Sequence, residues 1–292
     1  MPGIIGGGRG YTLAMSDPVS PSPCLPAAAA PAAISASPVL LALDTATERV
    51  HLALVAAEGG VRTRELPGGA QASAQLLPAM RALLDEASLR WADVQAIAFG
   101  SGPGAFTGLR TACSVTQGLA LGLGCPVIVL DTLMAVAEDA RQRAPQACPP
   151  GQTLWVLQDA RMAELYAAAF TWDGRRWLVA EDAALWPLDE PLRRWGCEHA
   201  PAIRWCGNAL QQCAQALAAL PAAGRFPAGE LAVPSGPALA ALARQAWAEG
   251  RAVDAALALP RYVRDKVAQT TAERAAGRAA DHPADRSASP AA

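Results

Sequence analysis

The sequence has few of the residues from which metal, redox and nucleic-acid sites are built. Its three histidines, His51, His199 and His282, are too far apart for two imidazoles to share one helix face as metal ligands. Lysine occurs once, and the formal net charge of −2 gives no electrostatic reason to bind nucleic acid or a membrane surface. The seven cysteines form no CxxC pair, which indicates reduced thiols in a cytoplasmic protein. No segment reaches the roughly 18 apolar residues needed to span a bilayer.

The two ends of the chain differ in composition from its centre. Residues 1–37 are rich in glycine and then in proline, alanine and serine. This predicts a disordered extension or a start codon assigned too early, with Met15 as the alternative start. Residues 272–292 are predicted to form an unstructured tail.

The pattern of residues 38–132 predicts an N-terminal α/β lobe. Three short runs separated by turn residues predict an antiparallel meander: VLLAL, VHLALV and VRTREL. The segment SAQLLPAMRALLDEA has apolar residues at helical spacing, and Pro78 is expected in its first turn, where no amide proton is needed. A strand (VQAIAFG), a helix from Thr107 to about Leu123, a strand (PVIVL) and a helix (TLMAVAEDARQRA) follow. The predicted order is βββαβαβα.

The same order is predicted again in residues 133–271. Asp44 is followed fifteen residues later by Gly59, and Asp159 fifteen residues later by Gly174. Each aspartate closes a predicted strand and each glycine lies in the next hairpin turn, which indicates an internal duplication. The segments NALQQCAQALAAL and GPALAALARQAWAEG are predicted to be helices, and the last segment of this lobe is expected to pack back on the first. The predicted fold class is α/β, with two tandem ribonuclease H-like (actin-type) lobes, each with a mixed sheet of order βββαβαβα.

The glycine-rich stretch GSGPGAFTGLR does not match the common phosphate or nucleophile motifs. A Walker A loop requires Gly-Lys-Ser/Thr, but Gly108 is followed by Leu109 and Arg110. A nucleophile elbow requires glycine where the chain has Phe99, and the match to a dinucleotide fingerprint is weak. Two interpretations remain: an anion site at the N-terminus of the following helix, or a tight strand-to-helix connection made by the glycines.

The helix after this stretch carries small residues along one face. Ser114, Gly118 and Gly122 are spaced at i, i+4 and i+8. A glycine inside a helix costs roughly 1 kcal/mol relative to alanine, so the stripe is expected to be compensated by close approach of another backbone. That backbone belongs either to this chain or to another polypeptide.

Four segments, in collinear order from about Leu40 to Ala268, carry a family resemblance. They are LALDTATERVHLALV, GSGPGAFTGLRTACSVTQGLALG, DARMAELYAAAF and PRYVRDKVA. The chain resembles the bacterial TsaB (YeaZ) family of tRNA threonylcarbamoyladenosine biosynthesis proteins. Many relatives have a histidine before the Ser-x-x-Leu-Leu-Pro segment, where this chain has Ala72, which weakens the case for a bound metal.

The resemblance implies an accessory role. TsaB is similar in fold to TsaD, the actin-type enzyme that transfers the threonylcarbamoyl group to an adenosine of tRNAs that read ANN codons. TsaB is regarded as its non-catalytic paralogue, so no catalytic residue, no metal and no intrinsic cofactor are expected. The implied partners are a TsaD-like transferase and a TsaE-like ATPase. An apolar stripe left exposed without its partner makes a second copy a further expected partner of the free protein. Contact with tRNA is expected to be weak or indirect, and ATP or ADP is expected to bind weakly, mainly in the complex.

The resemblance also implies where the partner binds, since TsaB pairs with TsaD through helices of the N-terminal lobe. Those helices correspond to about Ala74–Ala87 and Thr107–Leu123. The residues implied at this interface are Leu76, Leu77, Met80, Leu84, Gly104, Phe106, Thr107, Gly108, Arg110, Thr111, Ser114, Val115, Gly118 and Gly122.

Three residues are candidates for nucleotide contact. They are Asp44, Thr45 and Asp159. The two aspartates end the first strand of each predicted lobe, where actin-type ATPases place the carboxylates that organise magnesium around the phosphates. The alternative is structural: Asp44 bonds backbone amides of its own turn, and Asp159 pairs with Arg161.

A rival function stays open at this point. An actin-fold ATP-dependent phosphotransferase or a peptidase would be active without a partner, although the peptidase lacks a nucleophile elbow and the kinase lacks a clear phosphate loop.

The C-terminal cations are too sparse for a strong tRNA site. They are Arg261, Arg264, Lys266, Arg274 and Arg278.

Overall fold

The computed structural model describes residues 38–264, apart from 58, 70–71, 197–202 and 222–223. The predicted extension at 1–37 and tail at 272–292 therefore lie outside the described residues. The helices of the described part are α1 (Ala72–Glu86), α2 (Phe106–Leu123), α3 (Thr132–Arg143), α4 (Glu190–Trp195), α5 (Ala209–Gln212) and α6 (Gly236–Ala248). The strands are β1 (Leu40–Asp44), β2 (Arg49–Val55), β3 (Val61–Pro67), β4 (Ala96–Gly100), β5 (Val127–Leu130), β6 (Thr153–Arg161), β7 (Glu164–Trp172), β8 (Trp177–Pro187), β9 (Arg204–Cys206) and β10 (Ala252–Val253).

The first sheet is mixed and has the strand order β10-β5-β4-β1-β2-β3. Strands β1, β2 and β3 form the predicted antiparallel meander, and β4 and β5 join it in parallel. The central strands β1 and β4 are continuous apolar runs buried on both faces, whereas exposure alternates along the edge strand β3. From β1 to α3 the elements follow one another in the predicted order βββαβαβα.

The second sheet has four strands, in the order β8-β7-β6-β9. It begins as the first sheet does, with three antiparallel strands and then a parallel one, β9. The prediction of a full second βββαβαβα repeat is wrong beyond this point, because α6 and β10 belong to the first sheet. Strand β10 pairs antiparallel with β5, and α6 begins at Gly236, where a Cβ would lie 2.7 Å from the Leu52 carbonyl oxygen of β2.

The helix predicted over residues 208–220 is also shorter than expected. It forms only the single turn of α5, and the residues after Gln212 continue as turns. These turns still bury Leu217 and Leu220 against the tryptophans of the second sheet. The burial that the apolar spacing predicts is therefore achieved without a continuous helix.

Pro78 lies inside α1 and not in its first turn, which corrects the expected position. The proline removes the hydrogen bond to the carbonyl four residues earlier, at Ala74. Ala74 and Pro78 are both exposed, so water can satisfy the freed carbonyl group. The buried face of the helix is unaffected.

The core joins the two sheets into one packed structure. Helices α3 and α6 lie between the sheets and share one cluster of buried side chains with β1, β4, β6 and β7. Helices α1 and α2 cover the other face of the first sheet. A third cluster, rich in tryptophan, covers the outer face of the second sheet.

Candidate functional site

The glycine-rich segment after β4 packs the start of α2 tightly against the turn between β1 and β2. The amide of Ala105 donates to the Ala46 carbonyl (2.8 Å), and Thr45 Oγ1 donates to the Gly108 carbonyl (2.6 Å). A Cβ at Gly104 would lie 2.6 Å from the Ala46 carbonyl oxygen, and one at Gly108 would overlap the carbonyl of Thr45. Both glycines are therefore required by a close approach within the chain, and partner contact at their partly exposed surfaces stays a prediction.

Asp44, at the end of β1, is fully buried. It accepts hydrogen bonds from the amide of Ala46 (2.8 Å) and from Thr132 Oγ1 at the start of α3 (2.7 Å). Burial raises the pKa of Asp44 to about 6, although these two hydrogen bonds favour the charged form. The structural role of Asp44 in its own turn, given as the alternative interpretation, is therefore confirmed, whereas nucleotide contact at Asp44 stays a prediction.

A cavity of about 430 Å³ lies between the two sheets, and the other two nucleotide candidates line it. Thr45 comes from the turn after β1 and Asp159 from the end of β6. Asp159 accepts from the amide of Arg161 (2.9 Å) and pairs with its guanidinium (3.3 Å), which is the alternative interpretation given for this residue. Nucleotide contact at Thr45 and Asp159 stays a prediction.

Helix α1 presents less of its apolar surface than the interface prediction requires. Leu76, Met80 and Leu84 have no exposed surface and pack under the first sheet, so they cannot contact a partner directly. Leu77 lies at the edge of this buried face and is 45% exposed. The i, i+4 and i+8 spacing of the three buried leucine and methionine residues is the spacing of the core face.

One face of α2 is open along its whole length. The predicted interface residues that are exposed on α2 are Thr107, Arg110, Ser114, Gly118 and Gly122, and those partly exposed are Phe106, Gly108, Thr111 and Val115. A Cβ added at Gly118 or Gly122 would have no described atom within 4 Å. Leu121, which the sequence interpretation missed, lies on this helix with 80% of its surface exposed. Within the described residues, no backbone packs against the small-residue stripe.

The segment from Ala258 to Arg264 overlaps the family motif PRYVRDKVA and belongs to the last segment that was expected to pack back on the first lobe. It lies along the other side of α2. The Ala258 carbonyl accepts from Cys113 Sγ (3.0 Å) and Gln117 Nε2 (2.9 Å). Further along, the Tyr262 hydroxyl accepts from Arg110 Nε (3.1 Å). No local sequence signal predicts these contacts, because they join positions more than a hundred residues apart.

Two of the basic residues considered for tRNA contact are used within the protein. Arg261 pairs with Asp131 (3.3 Å) and Asp182 (3.2 Å), and Arg264 pairs with Glu164 and donates to the Ala160 carbonyl. Lys266, Arg274 and Arg278 lie outside the described residues.

His51 lies in β2 as predicted and is buried with its Nε2 unpartnered, whereas His199 and His282 fall outside the described residues. In the described part of the chain, no group of three or more His, Cys, Asp or Glu side chains is placed to hold a metal ion. No helix in that part has the length and apolar character needed to cross a membrane.

Comparison with known proteins agrees with the fold and with the resemblance of the motifs. A family profile described as TsaD, tRNA N6-adenosine threonylcarbamoyltransferase, matches residues 54–194. The tRNA threonylcarbamoyladenosine biosynthesis protein TsaB of Escherichia coli K12 is 31% identical over 239 residues, covering 78% of this chain and 96% of that protein. The YeaZ structure from Pseudomonas aeruginosa is 33% identical with a TM-score of 0.65, covering 77% of this chain and 99% of the other.

A second Pseudomonas aeruginosa structure, described as similar to peptidase YeaZ, is also 33% identical, with a TM-score of 0.66 and coverage of 78% and 100%. The fold therefore defines an α/β protein with mixed sheets of the YeaZ type. The chain belongs to the family of the tRNA threonylcarbamoyladenosine biosynthesis protein TsaB.

Proposed function

We propose that this chain is a non-catalytic subunit for formation of threonylcarbamoyladenosine in tRNA, which binds and activates a TsaD-like transferase in the cytoplasm. Its membership of the TsaB family supports a role in this pathway. A TsaE-like ATPase joins the assembly, and the two sheets correspond to two lobes of an actin-type protein. Activation requires that the chain bind the competent conformation of the transferase more tightly than the incompetent one.

The observation that carries the proposal is the open small-residue face of α2. Two glycines in the middle and last turn of a helix lower its stability, and no contact within the described chain compensates for them at Gly118 or Gly122. Small residues on a helix let a second helix approach closely, and Leu121 adds exposed apolar surface beside them. A helix of the transferase is the occupant that this surface fits.

The proposed interface is smaller than the sequence implied. It keeps Leu77 and the exposed and partly exposed residues of α2 other than Gly108. Leu76, Met80, Leu84, Gly104 and Gly108 are assigned to the chain's own packing. The same face would join two copies of the free protein, so a partner and a second copy are expected to compete for it. Neither a catalytic residue nor an intrinsic cofactor is part of the proposal.

Gly118→Arg tests the interface directly. The arginine would be buried without a partner at the contact, so we expect binding to the TsaD-like transferase to weaken about a hundredfold or more. The measurements are isothermal titration calorimetry with the transferase, and threonylcarbamoyladenosine formation on an unmodified ANN-decoding tRNA with TsaD, TsaE and threonylcarbamoyl-adenylate.

Ala248→Arg is the matched control, because it adds the same side chain at an exposed position at the end of α6. It should bind and support modification as the unchanged protein does. Normal binding and modification with Gly118→Arg would refute the interface, and modification without this chain would refute the role. Turnover of ATP or a peptide by the isolated chain would instead support the rival phosphotransferase or peptidase.

A further inference from the structure

A single cation lies on the open face of α2. Arg110 is exposed, and it is the only charged residue of this helix. Its guanidinium lies over the Phe106 ring, 3.9 Å from the ring centre, and its Nε donates to the Tyr262 hydroxyl (3.1 Å). The rings of Tyr262 and Phe106 also contact each other, with 5.2 Å between their centres. These contacts hold the Arg110 side chain in one place on the surface.

The contacts of Arg110 leave its charge without a counter-charge. It forms no ion pair among the described residues, whereas Arg261 and Arg264 of the adjacent segment pair with acids of this chain. Tyr262 takes the Nε donor, so in the described part of the chain the two terminal nitrogens of Arg110 have no acceptor. A planar guanidinium with both terminal nitrogens open matches the two oxygens of a carboxylate.

The surface around Arg110 is otherwise apolar. Leu121 lies on the same side of α2, about three turns further along, and is 80% exposed. Leu257 and Leu259 are 65% and 64% exposed, and they flank the middle of the helix because the Ala258 carbonyl between them accepts from Gln117. The open face of α2 therefore continues onto the segment after α6. Exposed apolar side chains around an arginine and a tyrosine are typical of a protein contact.

This surface favours a protein carboxylate over a nucleic-acid phosphate. Phosphate backbones are bound by several cations at once, and the neighbouring Arg261 and Arg264 are already paired. A protein partner would cover the leucines together with the arginine. A guanidinium that is covered in this way loses its water, and without an opposite charge it would weaken binding. Because no acid of the described chain pairs with Arg110, the partner has to supply one.

We propose that Arg110 binds a carboxylate side chain of the TsaD-like transferase, and that Tyr262 positions the guanidinium for it. This inference rests on the proposed transferase interface and adds the chemistry of the group that the partner presents there. An aspartate or glutamate accepts from the two terminal nitrogens while Nε stays bonded to Tyr262. Apolar side chains of the transferase cover Leu121, Leu257 and Leu259.

The test is calorimetric titration of the transferase with the full chain carrying Arg110→Gln or Arg110→Lys. Glutamine removes the charge and leaves the partner's carboxylate unpaired, so affinity should fall about tenfold to a hundredfold. Lysine keeps the charge but lacks the planar fork, so its affinity should lie between those of the glutamine variant and the unchanged chain. Arg175→Gln is the matched control, because it removes the same charge at the exposed turn between β7 and β8, and it should bind normally.

Tyr262→Phe tests the positioning role. The change removes one hydroxyl group and keeps the ring beside Phe106, so transferase binding should weaken about twofold to tenfold. In a chain that also carries Arg110→Gln, the same change should have no further effect, because the guanidinium that the hydroxyl orients is gone. An equal loss with and without Arg110 would show that Tyr262 acts through the local fold, and would overturn its positioning role.

Failure of this inference is distinguishable from failure of the proposed function. Unchanged affinity of Arg110→Gln, while Gly118→Arg still weakens binding, would overturn the carboxylate contact and leave the interface standing. Equal losses in Arg110→Gln and Arg175→Gln would indicate long-range attraction and would also overturn the contact. If the unchanged chain does not bind the transferase, both proposals are overturned.

Titration of the isolated chain with an unmodified ANN-decoding tRNA covers the nucleic-acid alternative. We expect the weak tRNA affinity, if measurable, to be the same in Arg110→Gln and in the unchanged chain. A loss of tRNA binding in Arg110→Gln, with transferase binding unchanged, would assign Arg110 to a phosphate and overturn the proposal.

Discussion

Two buried ionisable side chains of the first sheet have shifted pKa values. The two shifts change the stability of the protein with pH in opposite directions. Burial raises the pKa of Asp44 to about 6, with a further rise from nearby Asp131. Burial lowers the pKa of His51 to about 4, and the charge of Asp139 only partly opposes this. Each shift corresponds to about 3 kcal/mol of pH-dependent stability.

The two contributions change in opposite directions with pH. Between about pH 4 and 6 the folded protein keeps a proton on Asp44 that the unfolded chain loses, so this term lowers stability as pH rises. Between about pH 4 and 6.5 the unfolded chain holds a proton on the histidine that folded His51 lacks, so this term raises stability as pH rises. In the intact protein the two terms largely cancel.

Asp44→Asn and His51→Leu should separate these terms. Relative to the unchanged protein, Asp44→Asn should gain up to about 3 kcal/mol of stability as pH rises from 4 to 6, and His51→Leu should lose a similar amount. Urea unfolding at a series of pH values measures both differences. Differences that stay constant with pH in both variants would contradict the shifted pKa values.

At the scale of elements, α2 contains glycines that serve opposite purposes. At Gly108 the helix touches the turn after β1, and a side chain would overlap the Thr45 carbonyl. At Gly118 the helix faces open space. The sequence identified both as small residues, but only the packing of the helix distinguishes the required glycine from the exposed one.

The same substitution at these two positions should therefore change stability in opposite directions. Gly108→Ala should lower the free energy of unfolding by about 1–3 kcal/mol, because the backbone of the turn must move. Gly118→Ala should raise it by about 0.5–1 kcal/mol, through helix propensity alone. Urea unfolding of the free, monomeric protein compares the pair, and destabilisation by Gly118→Ala would mean that the stripe packs against this chain.

At the scale of the whole molecule, α3 and α6 make the two sheets interdependent. Their buried residues belong to one cluster with side chains from both sheets, and α6 follows the second sheet in sequence but packs on the first. If either sheet unfolded, the buried side chains of this cluster that belong to the other sheet would be exposed to water. The molecule is therefore expected to unfold as one cooperative unit.

Two spectroscopic probes can test this cooperativity. Six of the eight tryptophans, from Trp155 to Trp205, lie in or beside the second sheet, so fluorescence reports mainly on that half. Far-ultraviolet circular dichroism reports on all helices and strands. The two urea transitions should coincide and should shift together in Gly108→Ala, whereas separate midpoints would show that the sheets unfold independently.

The sequence by itself determined the features that depend on local pattern. Apolar alternation and turn residues predicted the meander of β1, β2 and β3, helical spacing predicted α1, α2 and α3, and the motif around Gly104 indicated the family. It also identified the small-residue stripe at Gly118 as a surface that another backbone is expected to approach closely. These features depend on a few consecutive residues, whose preferences can be read without knowing their neighbours in space.

Only the tertiary structure decided which side of each element is covered. It buried Asp44, Leu76 and Met80, placed α6 and β10 on the first sheet, and brought Asp159 and the start of α2 to one cavity. These outcomes depend on contacts between positions distant in the chain, because burial is set by whichever surfaces pack together most favourably. Local spacing shows that α1 has an apolar face, but only the sheet beneath it shows that this face is already occupied.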